Sequence, residues 1–224
     1  MGKGTKTGSG RTLAAVIVGG VGAVLAIAGG MVAVLFPRSL EAERIRIEQM
    51  PPSSAAALRE TPLGQAVLLE GHIAAGQPVL FRDFVAYSRQ QRRRSEDSNN
   101  SWQTKERETP SLLIDVVGGQ VQLVNSTYDM KGSLTTWQES GLDSFTEGHV
   151  SGLVAREAVI VVGRAGPGGG IDAEFVTPGT QQSYVLGLQE SRKVSFWLGG
   201  GLAGLGALLV AVGTGLALTR PRRK

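Results

Sequence analysis

Two long stretches without a charged side chain dominate the hydrophobic pattern of this sequence. Residues 13–36 (LAAVIVGGVGAVLAIAGGMVAVLF) and 194–219 (VSFWLGGGLAGLGALLVAVGTGLALT) contain no Asp, Glu, Lys or Arg. A hydrocarbon core of roughly 30 Å requires about 20 helical residues, and a single apolar segment satisfies its backbone hydrogen bonds in lipid only as a helix. The pattern predicts two transmembrane α-helices, and the length of the first run favours a retained span over a cleaved signal peptide.

Between these stretches the pattern changes from a helical stalk to short strands. Residues 38–50 are rich in helix formers and continue the first span until Pro51 and Pro52, after which Ser53 or Ser54 caps a short helix over 55–60. From residue 64 onward, Val- and Leu-rich segments alternate with turn residues. The predicted strands are 65–73, 79–92, 102–109, 111–117, 120–127, 149–154, 158–164, 171–177 and 183–188.

Glycine-rich breaks between these strands predict hairpins. Gly118 and Gly119 separate two apolar strands and tolerate a positive φ, while residues 166–170 (GPGGG) form a looser connection. The latter lacks the order of a phosphate-binding loop and no helix follows it. The predicted fold class is therefore a membrane protein with two transmembrane α-helices flanking a mainly-β extramembrane domain, similar to a β-barrel or sandwich with some α+β character.

The charge distribution predicts the domain organisation and the orientation. Seven of the 23 Lys and Arg residues lie in the first 11 and last five positions, whereas all 19 Asp and Glu lie in between. Because basic flanks stay cytoplasmic, we expect both termini in the cytoplasm and residues 37–193 outside it, in a prokaryotic plasma membrane. The predicted parts are a basic tail (1–12), a first span (13–36), a helical stalk and linker (37–63), a β-rich domain (64–193), a second span (194–219) and a basic tail (220–224).

Composition excludes several kinds of chemistry. The chain has no cysteine, which excludes disulfides, zinc–thiolate sites and a thiol nucleophile, and its two histidines, His72 and His149, are far apart. Asp115, Asp172 and Glu174 lie in or beside predicted strands without a visible partner, so a solvated face is favoured over a cation site. No triad or nucleophile elbow can be assembled. We therefore expect no catalytic residue, cofactor or metal site.

A run of arginines at the end of the second predicted strand is the first candidate site. Arg89, Arg92, Arg93 and Arg94 form a basic cluster that can contact an anionic surface such as lipid headgroups. The alternative is structural, because Glu106 and Glu108 on the following strand can pair with the arginines across the hairpin. No aromatic series of the stacking type accompanies the cluster, so nucleic acid is not an expected partner.

Small residues recur at four-residue spacing in both apolar runs and are the second candidate site. Such residues let helix backbones approach closely, either between the two spans or between protomers, although Gly and Ala are also simply abundant here. The candidate helix-packing residues are Gly22, Ala26, Gly30, Gly200, Ala203, Gly204, Ala207, Ala211 and Gly215.

The chain resembles a known family of membrane-adjacent domains. The stretches QAVLLEGHI, FRDFVAYSRQQ, ETPSLLIDVVGGQVQLV, GLVAREAVIVVGRAGPGGGIDAEFV and SYVLGL are similar to the GIDE domain, also called BAM ("beside a membrane"). The resemblance covers residues 13–219. It implies a domain held between two spans, as in membrane-anchored mitochondrial ubiquitin and SUMO ligases and in prokaryotic membrane proteins. Ligases of this family carry a RING, which needs zinc-binding cysteines that this sequence lacks.

These observations predict a membrane-anchored, non-catalytic sensor or interaction module that presents a β-rich domain to a protein or lipid partner. The expected partners are the lipid bilayer and either another protein or a second copy of the chain. Two alternatives stay open: a ubiquitin ligase of the E3 type, which the family resemblance suggests but the missing RING opposes, and a structural or transport accessory subunit.

Overall fold

The computed structural model describes residues 8–93, 101–139 and 146–218. Across these residues the chain forms three α-helices, ten β-strands and one short 3₁₀ turn. The helices are α1 (Gly8–Glu48), α2 (Ala55–Glu60) and α3 (Gln181–Leu218), and the 3₁₀ turn is Pro167–Gly169. The strands are β1 (Ala66–Ile73), β2 (Phe84–Arg93), β3 (Gln103–Glu108), β4 (Leu113–Val116), β5 (Gly119–Gln122), β6 (Asp129–Met130), β7 (Thr135–Gln138), β8 (Thr146–Val154), β9 (Ala158–Ala165) and β10 (Ile171–Pro178).

The described chain divides into a helical unit and a β unit. The helical unit contains α1 as far as Arg46 and α3 from Leu186, and the β unit is Ile47–Val185. Both long helices are apolar enough to cross a membrane, with mean hydropathies of 2.3 and 1.8. Only 11% and 17% of their most apolar windows are buried, whereas the core helix of a soluble protein is mostly buried. The coarse layout predicted from the sequence, two apolar helices flanking a mainly-β domain, is therefore confirmed.

Glycines hold α1 and α3 together within the helical unit. Gly22 and Gly29 on α1, and Gly199 and Gly206 on α3, are all buried and lie seven residues apart on each helix. A Cβ atom placed on Gly29 would lie 2.5 Å from the backbone nitrogen of Ala203, so only glycine permits this approach. We call Gly22, Gly29, Gly199 and Gly206 the glycine seam. Its seven-residue repeat matches the 3.5-residue period of helices that cross at a shallow angle.

The β unit contains two sheets that share one core. In the described residues the larger sheet has the strand order β5-β4-β1-β9-β10-β6 and the smaller has β3-β2-β8-β7. Nearly all neighbours are antiparallel, and β6 pairs in parallel with β10. Along most strands alternate residues belong to the core, as the period of two predicts. In β2 the register against β8 shifts between Phe84 and Ala86, and two consecutive residues belong to the core there. Core residues from the larger sheet include Leu69, Ile114, Val121, Val161 and Val176, and those from the smaller sheet include Val85, Ala86 and Leu153.

A β-bulge in β10 turns a large apolar side chain to the opposite face of the larger sheet. The register of β10 against β9 shifts between Ala173 and Phe175. The side chain of Asn125 fixes this point, because its Oδ1 accepts from the nitrogen of Ala173 (2.9 Å) and its Nδ2 donates to the oxygen of the same residue (2.8 Å). Val176 therefore faces the core, whereas Phe175 joins a separate cluster on the outer face.

That outer cluster joins the end of α1 to the beginning of α3. Ile47, Leu68, Val162, Phe175 and Val185 are buried against one another, and we call these five residues the helix clasp. Ile47 belongs to the last turn of α1 and Val185 to the first turns of α3. The chain therefore enters and leaves the β unit at one place on its larger sheet.

Hydrogen bonds from one side chain complete the clasp. The Nε2 atom of Gln181 donates to the backbone oxygens of Ile47 (2.6 Å) and Met50 (2.9 Å) where α1 ends, and the oxygen of Ile47 also accepts from the nitrogen of Met50 (3.2 Å). The backbone nitrogen of Gln181 in turn donates to Oε2 of Glu70 (3.2 Å). A carboxylate at the N-terminus of α3 also interacts favourably with the helix dipole.

Most of the predicted strands and both hairpins are confirmed, although the strand predicted over 120–127 ends at Gln122. The strand predicted over 183–188 is wrong, since these residues form the beginning of α3. Leu186 and Leu188 have the spacing of a strand, but the buried residues are Val185 and Leu188, which have the spacing of a helix. The helix is continuous with the following apolar run. The second strand begins at Phe84 because a tight turn precedes it, and the short strands β6 and β7 were not predicted.

Candidate interaction surface

Two of the arginines singled out in the sequence, Arg89 and Arg92, are paired with glutamates on or next to the strands of the smaller sheet. The Nη1 atom of Arg89 lies 2.5 Å from Oε2 of Glu106 on β3, and its Nε lies 3.0 Å from Oε1 of Glu139. Arg92 forms an ion pair with Glu147 on β8. The cross-strand pairing that the sequence suggested is therefore present for Arg89, and β8 supplies a further partner for Arg92.

This pairing reduces the positive charge that the arginine cluster can offer to a partner. Arg89 and Arg92 already have carboxylate partners, so their contribution to a positive surface is small. The side chain of Arg93 and the whole of Arg94 lie outside the described residues. Contact of this cluster with an anionic surface stays a prediction.

A second group of side chains lies on the face of the smaller sheet that is turned away from the core. The ring of Phe81 lies 5.6 Å from that of Tyr87 and 5.7 Å from that of Trp137, measured between centroids. The guanidinium of Arg82 lies 3.8 Å from the Trp137 ring, and that of Arg89 lies 4.8 Å from the Phe81 ring. We call Phe81, Arg82, Tyr87, Arg89 and Trp137 the aromatic–arginine face.

Arg82 reaches Trp137 from a strained turn. The backbone nitrogen of Phe84 donates to the oxygen of Phe81 (2.8 Å), which closes a four-residue turn before β2. Arg82 occupies the second position of this turn with φ = +51°, a region that residues other than glycine rarely adopt. Such strain is concentrated at functional sites, where surrounding contacts maintain it. Here the stack on Trp137 is the contact that orients Arg82.

Exposed apolar side chains border this face. Val79 is 54% exposed and Leu80 is 42% exposed, and both precede the turn that carries Arg82. Arg82 itself is exposed, and no carboxylate of the described chain is paired with it. Trp, Tyr and Arg are the residue types most enriched at the energetic centres of protein interfaces. The aromatic–arginine face contains all three residue types, and its Arg82 has no carboxylate partner among the described residues.

The phenol of Tyr87 ties the face to the ion pairs beside it. Its hydroxyl donates to Oε1 of Glu106 (2.6 Å), the same carboxylate that pairs with Arg89. Burial, together with the negative charge of Glu106, raises the pKa of Tyr87 to about 12. The phenol therefore stays protonated throughout the physiological pH range and keeps the Glu106 carboxylate in place.

The remaining polar candidates do not converge on one site. Asp172 and Glu174 are both exposed, Asp172 opposite Arg164 in the sheet register and Glu174 at the bulge. Asp115 lies opposite His72, and both border a shallow cavity of about 460 Å³ on the larger sheet. His149 packs against Trp102, with ring centroids 4.4 Å apart. Among the described residues, no group of three or more His, Asp or Glu side chains is placed to hold a metal ion.

The small residues of the two apolar helices divide into two sets. Gly22 belongs to the glycine seam, and Ala26 and Ala203 contact it. Gly30, Gly200, Gly204 and Gly215 have open space where a Cβ atom would stand, and Ala207 and Ala211 are exposed. The contact within the chain therefore follows the seven-residue repeat and not the four-residue stripe. Packing of the second set between protomers stays a prediction.

Sequence reasoning missed the aromatic–arginine face because its parts are distant in sequence. Arg82 and Trp137 are 55 positions apart, and the pairing of β2 with β8 and of β8 with β7 brings them together. The segment LTTWQ carries β-branched and aromatic residues, a signal of a strand that would have placed Trp137 on a sheet.

Comparison with known proteins does not assign the chain to a family. No protein-family model, no curated protein and no solved structure matches the chain. The resemblance to the GIDE or BAM domain therefore stays a prediction. The described fold defines a mainly-β domain between two apolar helices.

Proposed function

We propose that this chain is a membrane-anchored interaction module that binds a partner protein through the aromatic–arginine face of its β unit. The observation that carries the proposal is the stack of exposed Arg82 on half-buried Trp137, in a strained turn that follows exposed Val79 and Leu80. The partner surface that fits this chemistry offers a carboxylate to Arg82 and an apolar side chain to exposed Val79 and Leu80. In this function the chain positions a partner at the membrane and carries out no reaction itself.

Membrane anchoring by both apolar helices is part of the proposal. Large apolar side chains cover their outer surfaces: Val24 is 66% exposed, Leu208 is 63% exposed and Trp197 is 77% exposed. An apolar surface of this extent requires a hydrophobic environment. The basic residues at both ends of the sequence favour cytoplasmic termini, with residues 37–193 outside the cytoplasm of a prokaryotic cell.

Labelling of single cysteines tests the anchoring and the orientation. The natural chain has no cysteine, so Asp172→Cys and Lys6→Cys each introduce a unique label site. We expect a membrane-impermeant maleimide to label Asp172→Cys in intact cells and to label Lys6→Cys only after lysis. Labelling of Lys6→Cys alone in intact cells would contradict the orientation. Release of the chain from membranes by alkaline carbonate would contradict the anchoring.

Loss of the stacked pair is expected to weaken partner binding strongly. A photo-crosslinking residue at Leu80 identifies the partner in native membranes, and the purified partner is then titrated against full-length protein in lipid nanodiscs. We expect Arg82→Ala and Trp137→Ala each to raise the dissociation constant at least tenfold, as at interface hot spots of about 2 kcal/mol or more.

Arg156 offers a matched control for this titration. It is also an exposed arginine at a positive φ (+67°), in the turn between β8 and β9, but no aromatic ring stacks on it in the described structure. Arg156→Ala is expected to leave the dissociation constant unchanged. Equal affinities for all variants, or a partner that crosslinks equally well from position 172, would contradict the proposed binding face.

A further inference from the structure

The helical unit contains a groove at the level where both apolar runs end. Its cavity of about 700 Å³ is lined by residues from both long helices. On α1 the apolar run ends at Phe36, and Pro37 and Arg38 line the groove immediately beyond it. On α3 the run begins at Val194, and Lys193 lines the groove immediately before it. The groove therefore has an apolar end and a basic end.

The register of the two helices places these ends at the same height. Ala33 lies against Gly199, and toward the basic end Oε2 of Glu41 lies 2.9 Å from Nη1 of Arg192. The two helices are therefore antiparallel along the groove. We call the basic and aromatic part of this lining the basic groove. It consists of Arg38, Arg44, Arg192, Lys193, Phe196 and Trp197.

Positive charge exceeds negative charge in this groove. Glu41 is the carboxylate paired with its arginines, accepting from Nη2 of Arg44 (2.8 Å) and from Nη1 of Arg192 (2.9 Å). Arg38 and Lys193 form no ion pair with any residue that the structure describes. Both side chains are exposed, and the apolar surface beside them lowers the local dielectric constant, which strengthens their attraction for an anion.

The aromatic residues indicate what kind of anion fits. Phe196 is 57% exposed and Trp197 is 77% exposed, and both lie one helical turn inside the apolar run from Lys193. Trp is enriched where acyl chains meet headgroups, and basic pockets between membrane helices bind phosphate-bearing headgroups. A free phosphate would use only the cations, whereas a phospholipid also covers the exposed rings. The volume also lies in the range of small-ligand sites.

We propose that the basic groove binds one anionic glycerophospholipid, with its phosphate between Arg38 and Lys193 and its acyl chains along Phe196 and Trp197. The inference rests on the proposed membrane anchoring, because the lipid reaches the groove from the bilayer. Arg44 and Arg192, held by Glu41, form the far wall of the headgroup site.

Native mass spectrometry of the full-length protein tests this site. The protein in neutral detergent micelles is mixed with equal amounts of phosphatidylglycerol and phosphatidylcholine that carry the same acyl chains. We expect at least tenfold more of the one-lipid adduct with phosphatidylglycerol. In the double variant Arg38→Gln/Lys193→Gln this preference falls to about one, and in Arg38→Lys/Lys193→Arg it is retained.

A control of equal charge separates a specific site from general attraction. Arg222→Gln/Arg223→Gln removes two positive charges beyond the other end of the second apolar run, and it is expected to keep the preference. Equal adducts of both lipids with the natural chain, or an equal loss in both double variants, would overturn the lipid site. Displacement of the lipid by millimolar glycerol 3-phosphate would show a site for soluble phosphates instead.

Alkaline carbonate extraction distinguishes a failure of the lipid site from a failure of the membrane anchoring. A chain that stays in the membrane but shows no lipid preference retains the anchoring and refutes the lipid site. A chain released by carbonate refutes the anchoring itself, and the lipid site falls with it.

Discussion

Replacement of Phe175 by alanine is expected to lower the free energy of unfolding of the β unit by about 3–5 kcal/mol, the usual cost of deleting a buried aromatic ring. Phe175 is 1% exposed and packs with Ile47 and Val185 in the helix clasp. Its ring centroid lies 5.7 Å from that of Tyr184, and the Nζ atom of Lys131 lies 4.2 Å above it. Urea denaturation of the full-length protein in micelles, followed by far-UV circular dichroism, measures the change.

The variant Asp172→Ala is the matched control, because it removes an exposed side chain three positions earlier on the same strand. We expect its cost to stay within about 0.5 kcal/mol. Hydrogen exchange gives a second reading, since loss of the ring should accelerate exchange in residues 47–50 and 181–185 before the core strands. If Phe175→Ala costs no more than Asp172→Ala, the clasp contributes nothing to the stability of the β unit.

The parts of this fold that follow local rules could be predicted from the sequence. The two uncharged runs specify long helices, and Pro51 and Pro52 mark the end of the first one. Val- and Leu-rich segments with a period of two specify most strands. Gly118, with φ = +83°, specifies the hairpin between β4 and β5. In each case the signal and the structure it determines lie within a few residues of each other.

The parts that depend on distant contacts could not be predicted. Strict alternation would place Phe175 in the core, but the Asn125 side chain, 48 positions away from Ala173, stabilises a bulge that reverses its direction. The segment 183–188 has the composition of a strand, yet the clasp and the following apolar run make it helical. The stack of Arg82 on Trp137 requires three paired strands. Composition alone does not encode any of these.

The two candidate surfaces can be tested separately because they lie in different units. The aromatic–arginine face belongs to the β unit, and the basic groove belongs to the helical unit. Variants of Trp137 should change partner binding without changing lipid selectivity, whereas variants of Arg38 and Lys193 should do the reverse. A variant that changed both would indicate that the units are energetically coupled.

Replacement of Gly29 by leucine is expected to separate α1 from α3, whereas the same replacement at Gly30 is not. A Cβ atom on Gly29 would lie 2.5 Å from the backbone nitrogen of Ala203 and 2.8 Å from the backbone oxygen of Gly199. Because these are backbone atoms, no rotamer change relieves the contact, and overpacking of this kind costs about 3 kcal/mol. A Cβ atom on Gly30 meets nothing within 4 Å.

A crosslinking reporter measures this separation in the cysteine-free chain. Glu41→Cys and Arg192→Cys replace two long side chains whose charged atoms lie 2.9 Å apart, so a bismaleimide that spans the length of those side chains should link the two cysteines in micelles. After proteolysis within the β unit, linked helices migrate as one fragment. We expect Gly29→Leu to reduce the linked fraction at least fivefold and Gly30→Leu to leave it unchanged. Both variants alter hydrophobicity and helix propensity equally. A difference in the linked fraction would therefore identify the close backbone approach at Gly29 as the cause. Equal linked fractions would show that the glycine seam does not hold the helices together.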